Sequence, residues 1–241
     1  MFFLETFIII ILIFFQSIFG IGLLLFGTPT FLLIGYNFLD VLNILLPISI
    51  TISAIQIFSS KVENKKFKYN FNLYCLPFLI LSLYFIINNF EKINLEFYIS
   101  ILIILFSILS LNKKKIKYLQ NLNLIQQRIA LSVIGVIHGL SNLGGSLLAI
   151  LSSIINKDDK NKTRYSIVYG YLIMGIIQIL ILYFLSNNHI NMINLLYIIL
   201  VFMIYFPAQK IFNKFKREKF SKYLNIFAFL YGVIILLKNI K

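Results

Sequence analysis

Apolar runs long enough to cross a bilayer, cut at intervals by short lysine-rich stretches, leave this chain one environment to fold in. A helix needs about 20 predominantly apolar residues to span a hydrocarbon core of about 30 Å, and the sequence offers seven or eight such segments. Of the 241 residues, 60% are hydrophobic and 12% charged, against roughly a quarter charged in ordinary soluble domains. The pattern predicts an all-α, polytopic helical membrane protein. The first run, Phe2–Phe15, carries Glu5 where the basic start of a signal peptide belongs and has no small-residue cleavage site after it, so it is expected to be mature sequence. The net charge of +14 calls for an anionic polymer in a soluble protein. Here the lysines and arginines fall in or near the loops and the C-terminal tail, as the positive-inside rule requires, and nucleic-acid binding is not expected. The lone cysteine, Cys75, leaves no intramolecular disulfide or multi-cysteine metal cluster and reads as a packing residue.

Two glycine-rich interruptions stand out against these runs. Gly20, Gly22, Gly27 and Gly35, with Thr28, Pro29 and Thr30, break the first apolar stretch. Gly135, His138, Gly139, Ser141, Asn142, Gly144, Gly145 and Ser146 break another just over half a chain further on. A bilayer core holds no water for freed backbone groups, so a break at that depth belongs where it is buried in protein or lines a cavity. As one straight helix, residues 1–34 would reach about 51 Å, well past the hydrocarbon. A broken or hairpin structure with its interruption at the glycines and Pro29 is therefore expected there.

Counting charges orients the segments. Loops 59–71, 112–128, 156–164 and 209–222 are basic and read as cytoplasmic, whereas the links near 90–96 and 187–191 are lysine-poor and read as external. If 112–128 and 156–164 share a face, 129–155 enters and leaves on that face as a re-entrant hairpin. The chain then divides into a first repeat, 1–111 (hairpin 1–34, spans 38–58, 72–89 and 97–111), a basic connector, 112–128, and a second repeat, 129–241 (hairpin 129–155, spans 165–186, 195–208 and 223–237). The two are of opposite orientation, as in inverted-repeat transporters whose discontinuous segments meet near the midplane. The alternative takes 129–155 as one tilted span in a set of eight, with parallel repeats, and places the strongly basic loop 209–222 outside.

The chemistry inside the membrane is neutral. Only Glu5 and Asp40 among the acidic residues fall near hydrocarbon, and Asp40 suits the N-terminus of the span after it. Without carboxylate rings or buried cations, a charge-relay pump or a cation channel is disfavoured. Glycine backbone and half-helix N-termini instead offer N–H groups and partial positive charge to a small oxyanion. The candidate site is Gly20, Gly22, Gly27, Thr28 and Pro29 with His138, Gly139, Ser141, Asn142, Gly144 and Gly145. His138, the one titratable side chain in either break, offers proton coupling; the bland reading is a neutral histidine bonded between helices. Gln56, Gln178 and Asn43 read as interhelical hydrogen-bonding residues, and Tyr165, Tyr169 and Tyr171 as an interfacial aromatic belt. Arg128 and Arg164 bracket the second hairpin, where they would anchor on headgroups or gather anions. No nucleophile–base pair, zinc-protease motif or phosphate-cradling loop is present, so neither an enzyme nor a cofactor is expected, and no signal bears on oligomeric state.

Gly20-Ile21-Gly22 followed by Thr28-Pro29 and an apolar run resembles the first signature of the sulfite exporter TauE/SafE family of permeases. Gly135, Gly139, Gly144 and Gly145 resemble its second copy, and the spacing of spans extends the resemblance over most of the chain. Leu23 and Leu24 stand where members often carry further glycines, and no proline follows Gly145. The resemblance implies a secondary transporter in the cytoplasmic membrane that moves sulfite, thiosulfate or an organosulfonate under an ion gradient. A polytopic assembly factor without transport, and a small-anion channel, are the alternative readings.

Overall fold

A computed structural model describes residues 2–89, 122–156, 159–185 and 193–214, together with 98, 101 and 104. Every regular element among these residues is helical: α1 (Phe2–Phe19), α2 (Leu23–Leu33), α3 (Phe38–Phe58), α4 (Lys65–Tyr74), α5 (Leu76–Asn89), α6 (Leu124–Ser141), α7 (Gly144–Ile155), α8 (Lys160–Leu185) and α9 (Ile193–Lys214). Among the described residues, five helical stretches are long and apolar enough to cross a membrane and three shorter apolar helices accompany them. The chain is an all-helical, multi-pass membrane protein. The expected span 223–237, all of 97–111 except residues 98, 101 and 104, and most of the connector 112–128 lie outside the described residues.

Local chemistry sets the helix ends and moves several of the expected ones. The first run breaks at Gly20–Gly22, not at Pro29, and Gly27, Thr28 and Pro29 lie inside α2. Gly20 and Gly22 hold φ of 73° and 133°, conformations that a Cβ makes costly. Pro29 lacks the N–H that would bond the Leu25 carbonyl, yet Thr30 Oγ1 donates to the next carbonyl, Phe26, at 2.5 Å, and the helix carries through. The stretch 129–155 is not one continuous helix either, since Asn142 stands in the left-handed region at φ 66° between α6 and α7. The lysine-rich 59–71 is helical from Lys65 because the Asn64 side chain accepts from Phe67 N and Phe67 and Phe71, one turn apart, bury against the core. At the basic link 156–164, Asp159 caps α8 by accepting from Asn161 N and Lys162 N, so the helix starts at Lys160 rather than after the basic loop. Asn37 caps α3 by accepting from Asp40 N, which leaves the Asp40 carboxylate in the first turn, where the helix dipole favours it.

The packing is centred on α3 and α8. Phe15 meets Phe26 with ring centroids 6.2 Å apart and Leu12 lies against Gly27, so α2 runs back along α1. Helices α6 and α7 also pack on one another, α5 packs along α6, and α1 and α3 both contact α9. Gly175 of α8 sits against Ile50, the middle of α3, while Val168 and Gln56, near opposite ends of those helices' numbering, both approach Gly20; the two helices are therefore antiparallel. Phe78, Leu81, Phe85, Phe184, Phe202 and Met203 point outward. In water so large an apolar surface is a liability; facing acyl chains it is the expected exterior.

A single constant offset relates two stretches of the chain. It carries both ends of α1 onto both ends of α6, Leu33 at the end of α2 onto Ile155 at the end of α7, the cap Asn37 onto the cap Asp159, and the start of α3 onto the start of α8.

Candidate functional site

The second break gathers buried polar groups from three helices, α2, α6 and α8, around its own Asn142. Asn142 is the hub. Its left-handed backbone, which asparagine tolerates better than most residues, lets its N–H bond the His138 carbonyl at 2.8 Å and turns its side chain inward. There Asn142 Nδ2 donates to Thr28 Oγ1 of α2 at 3.3 Å, and Asn142 Oδ1 accepts from Gln178 Nε2 of α8 at 3.1 Å. The Gln178 amide lies beside the His138 imidazole, and His138 meets Tyr171 edge-on at 6.0 Å. Thr28, His138, Asn142, Tyr171 and Gln178 are all fully buried.

Several of these atoms have no hydrogen-bond partner among the described residues: both ring nitrogens of His138, the Tyr171 hydroxyl and Gln178 Oε1. Leaving a buried polar group unpaired costs roughly 1–3 kcal/mol, and such groups in one place call for a functional explanation. The start of α7 adjoins them. Gly145 lies so close under the Tyr171 hydroxyl that no Cβ fits, and a Cβ on Gly144 would lie 2.6 Å from His138 Cβ. The Gln178 amide beside His138 is in keeping with a histidine bonded between helices, and the Tyr171 hydroxyl is the group left with no neighbour to bond among the described residues.

The structure does not bring every expected site residue here. Gly139 faces α5, against Ser82 and the backbone of Leu79 and Leu83, and Gly135 faces the Cys75 carbonyl, four residues apart in the small-xxx-small manner that lets membrane helices approach closely. Ser141, Thr30 and Ser146 donate to carbonyls of their own segments, Ile137, Phe26 and Leu143. Gly20 and Gly22 lie elsewhere. Gly20 is against Val168 and Arg164, ten residues of α8 from Gln178, or about 15 Å of axial rise. The tip of the second break thus meets the middle of α2 through Thr28, not the tip of the first break. Gly27 packs on Leu12 and Leu45, and Pro29 is buried within α2.

The first break has its own polar setting. Gln56 Nε2 donates to the Gln16 and Ser17 carbonyls at 3.2 and 2.9 Å, and Arg164 Nη2 to the Ser17 carbonyl and Gln209 Oε1 at 3.1 and 2.9 Å. Arg164 faces the protein and a helix C-terminus, so headgroup anchoring is not its arrangement; Arg128 lies over the Tyr74 ring at 4.9 Å. Gln56 and Gln178 bond between helices as expected, and the Asn43 carbonyl accepts from Asn194 of α9. Tyr165, Tyr169 and Tyr171 are buried instead of forming an interfacial belt; Tyr169 donates to Asn72, because this face of α8 is turned to α4, α6 and α7.

Two further polar features lie away from these residues. A cavity of about 720 Å³ lies between α4, α6 and α7, with Lys65, Lys66 and Lys162 set against Glu63 among polar neighbours Asn64, Gln127 and Asn156. At the other end, the buried Glu5 carboxylate accepts from the hydroxyls of Tyr36 at 2.7 Å and Tyr197 at 2.8 Å. Burial, aided by the bond to Glu5, pushes the Tyr36 hydroxyl up to about 12. It therefore donates to Glu5 through the neutral range and would lose that bond only as pH rises past its folded value.

The family model for the sulfite exporter TauE/SafE matches residues 6–235. The chain belongs to the TauE/SafE family. It is thereby a membrane permease. No curated protein and no solved structure matches the chain. Sequence reasoning reached Thr28, His138, Asn142, Gly144 and Gly145 through the breaks themselves. It read Gln178 as an interhelical hydrogen-bonding residue and Tyr171 as an interfacial one; their spacing of seven, two turns on one helix face, was the signal that they point the same way.

Proposed function

We propose that this TauE/SafE protein is a secondary transporter of the cytoplasmic membrane that carries a small sulfur-containing anion, sulfite, thiosulfate or an organosulfonate, unchanged across the bilayer. The observation that carries this reading is the convergence of unpartnered, fully buried polar atoms on His138 and Tyr171 at the start of α7. An oxyanion satisfies such groups as no apolar solute does. Neutral donors at a half-helix N-terminus stabilise negative charge without burying a cation, and in a site of low dielectric each hydrogen bond to the anion is strengthened. The lysine-lined cavity beside α4 and α7 supports an approach route, since a basic mouth raises the local concentration of anions. His138, the titratable group of the cluster, is the residue to carry a proton with the anion. The two broken helix pairs, α1–α2 and α6–α7, are read as the discontinuous elements of inverted repeats.

The test is flux. Purified full-length protein in liposomes should accumulate radiolabelled sulfite, thiosulfate or a sulfonate above protein-free vesicles, and an imposed proton gradient should change the extent. Absence of flux for all three anions, in protein that remains folded by circular dichroism, would overturn the reading in favour of an assembly role. Flux at channel rates that no gradient of a second ion alters would replace secondary transport with a small-anion channel.

A further inference from the structure

The offset that carries α1–α3 onto α6–α8 also pairs the polar residues around the two breaks. Gln16 falls on His138, Gly20 on Asn142, Gly22 on Gly144, Ser49 on Tyr171 and Gln56 on Gln178. The paired residues hold matched places. Gly20 and Asn142 both stand in the left-handed region, and each bonds the carbonyl four residues back, that of Gln16 or His138, at 2.8 Å. Gln56 and Gln178 each reach from the third helix to the break of its own half.

The hydrogen bonding of the two clusters differs at one pair. Gln56 Oε1 and Gln178 Oε1 are alike in having no partner among the described residues, so they do not separate the halves. In the first cluster, Gln16 Nε2 donates to the Ser49 carbonyl at 3.1 Å, to Ser49 Oγ at 3.0 Å and to Ser53 Oγ at 3.3 Å, and the Ser49 hydroxyl returns a bond to Gln16 Oε1 at 3.4 Å. In the second, His138 and Tyr171 occupy the matching positions, fully buried, and meet edge-on at 6.0 Å without bonding one another; the Gln178 amide is the polar group beside the imidazole, and the Tyr171 hydroxyl has no partner among the described residues. Gly175 stands where Ser53 would supply a third group.

We propose that the second cluster alone is the solute site, with the Tyr171 hydroxyl and the His138 ring N–H as direct donors to the anion's oxygens, and that the Gln16–Ser49–Ser53 cluster is a closed counterpart that only holds the first break in shape. This rests on the transport reading above and names the residues that would bind. A buried hydroxyl lacking a partner destabilises the empty fold, so deleting it relieves the fold even as it removes a donor from a ligand. A bonded hydroxyl does the reverse. The two halves are thus expected to respond with opposite sign.

The experiment pairs thermal unfolding with calorimetric titration of purified full-length protein, using sodium sulfite and sodium thiosulfate as probes. Tyr171→Phe should unfold at the wild-type temperature or higher and bind the tighter probe about tenfold or more weakly, the loss that one hydrogen bond to a charged group implies. His138→Leu should weaken the same probe comparably. Ser49→Ala should unfold at a lower temperature and keep wild-type affinity. Wild-type affinity in Tyr171→Phe, an equal loss of affinity in Ser49→Ala, or a fall in the unfolding temperature of Tyr171→Phe would each overturn the assignment while leaving transport standing if the wild type still shows flux. A wild type that responds to neither probe and shows no flux would remove both.

Discussion

Gly135 and Gly139 show at the level of single atoms what holds the site's walls together. A Cβ on Gly135 would fall within the Cys75 carbonyl, and one on Gly139 would meet Ser82 Oγ, with the Leu79 carbonyl at 2.7 Å and Leu83 N at 2.9 Å. In lipid, association between helices comes from close packing more than from exclusion of water, so the approach of α5 to α6 depends on these two missing side chains. Alanine at either position, although it raises helix propensity, should destabilise the protein by about 1–3 kcal/mol, the usual cost of overpacking. The effect of Gly135→Ala should be the larger, because its Cβ would overlap the Cys75 backbone carbonyl, whereas the backbone nearest Gly139 is 2.7 Å away and the closer Ser82 hydroxyl can rotate aside. Thermal unfolding of the purified variants measures this; unchanged midpoints in both would mean that α5 and α6 do not meet at these glycines.

At the scale of elements, Arg164 fastens the start of α8 to the end of α1. The last carbonyls of a helix carry partial negative charge, and the guanidinium meets the Ser17 carbonyl while holding Gln209 of α9. Arg164→Lys keeps the charge but carries it on a shorter side chain than the one whose Nη2 serves both partners, so it should lose part of the stability that Arg164→Leu loses entirely, about 1–3 kcal/mol for hydrogen bonds of a charged group. Hydrogen exchange at amides 18–22 should quicken in the leucine variant; exchange at the wild-type rate would mean that Gln56 alone secures the break. How much of these elements could be read in the sequence follows from the same forces. The breaks were legible at Gly20, Gly22 and Asn142 because only glycine and asparagine take left-handed backbone readily. Pro29 misled, because Thr30 covers the adjoining carbonyl and α2 is buried among its neighbours, neither of which a local pattern reveals. Lysines drew the basic loops too long, since a lysine stem can lie along a helix and leave its charge at the surface. Tyr171 stayed hidden because an aromatic near a basic loop has the same sequence pattern whether it faces lipid or core.

For the whole molecule, the geometry gives the question of orientation a definite sign. Glu63 and Lys65, just past the end of α3, line the same cavity as Asn156 and Lys162 at the start of α8. Glu5, Tyr36 and Tyr197 gather the start of α1, the link into α3 and the first turns of α9 at the other end. The starts of α3 and α8 therefore lie at opposite ends of the bundle, although the constant offset makes them counterparts. If the bundle stands across the bilayer with its basic end in the cytoplasm, the counterpart residues Asp40 and Lys162, both exposed in first turns, must face opposite compartments. Asp40→Cys and Lys162→Cys, each in a Cys75→Ala background, should separate under a membrane-impermeant maleimide in intact cells. Asp40→Cys should label from outside, and Lys162→Cys only after the membrane is opened. Labelling of both from outside would sink the inverted arrangement and return 129–155 to the role of a single crossing, bent at Asn142, in a parallel pair of units.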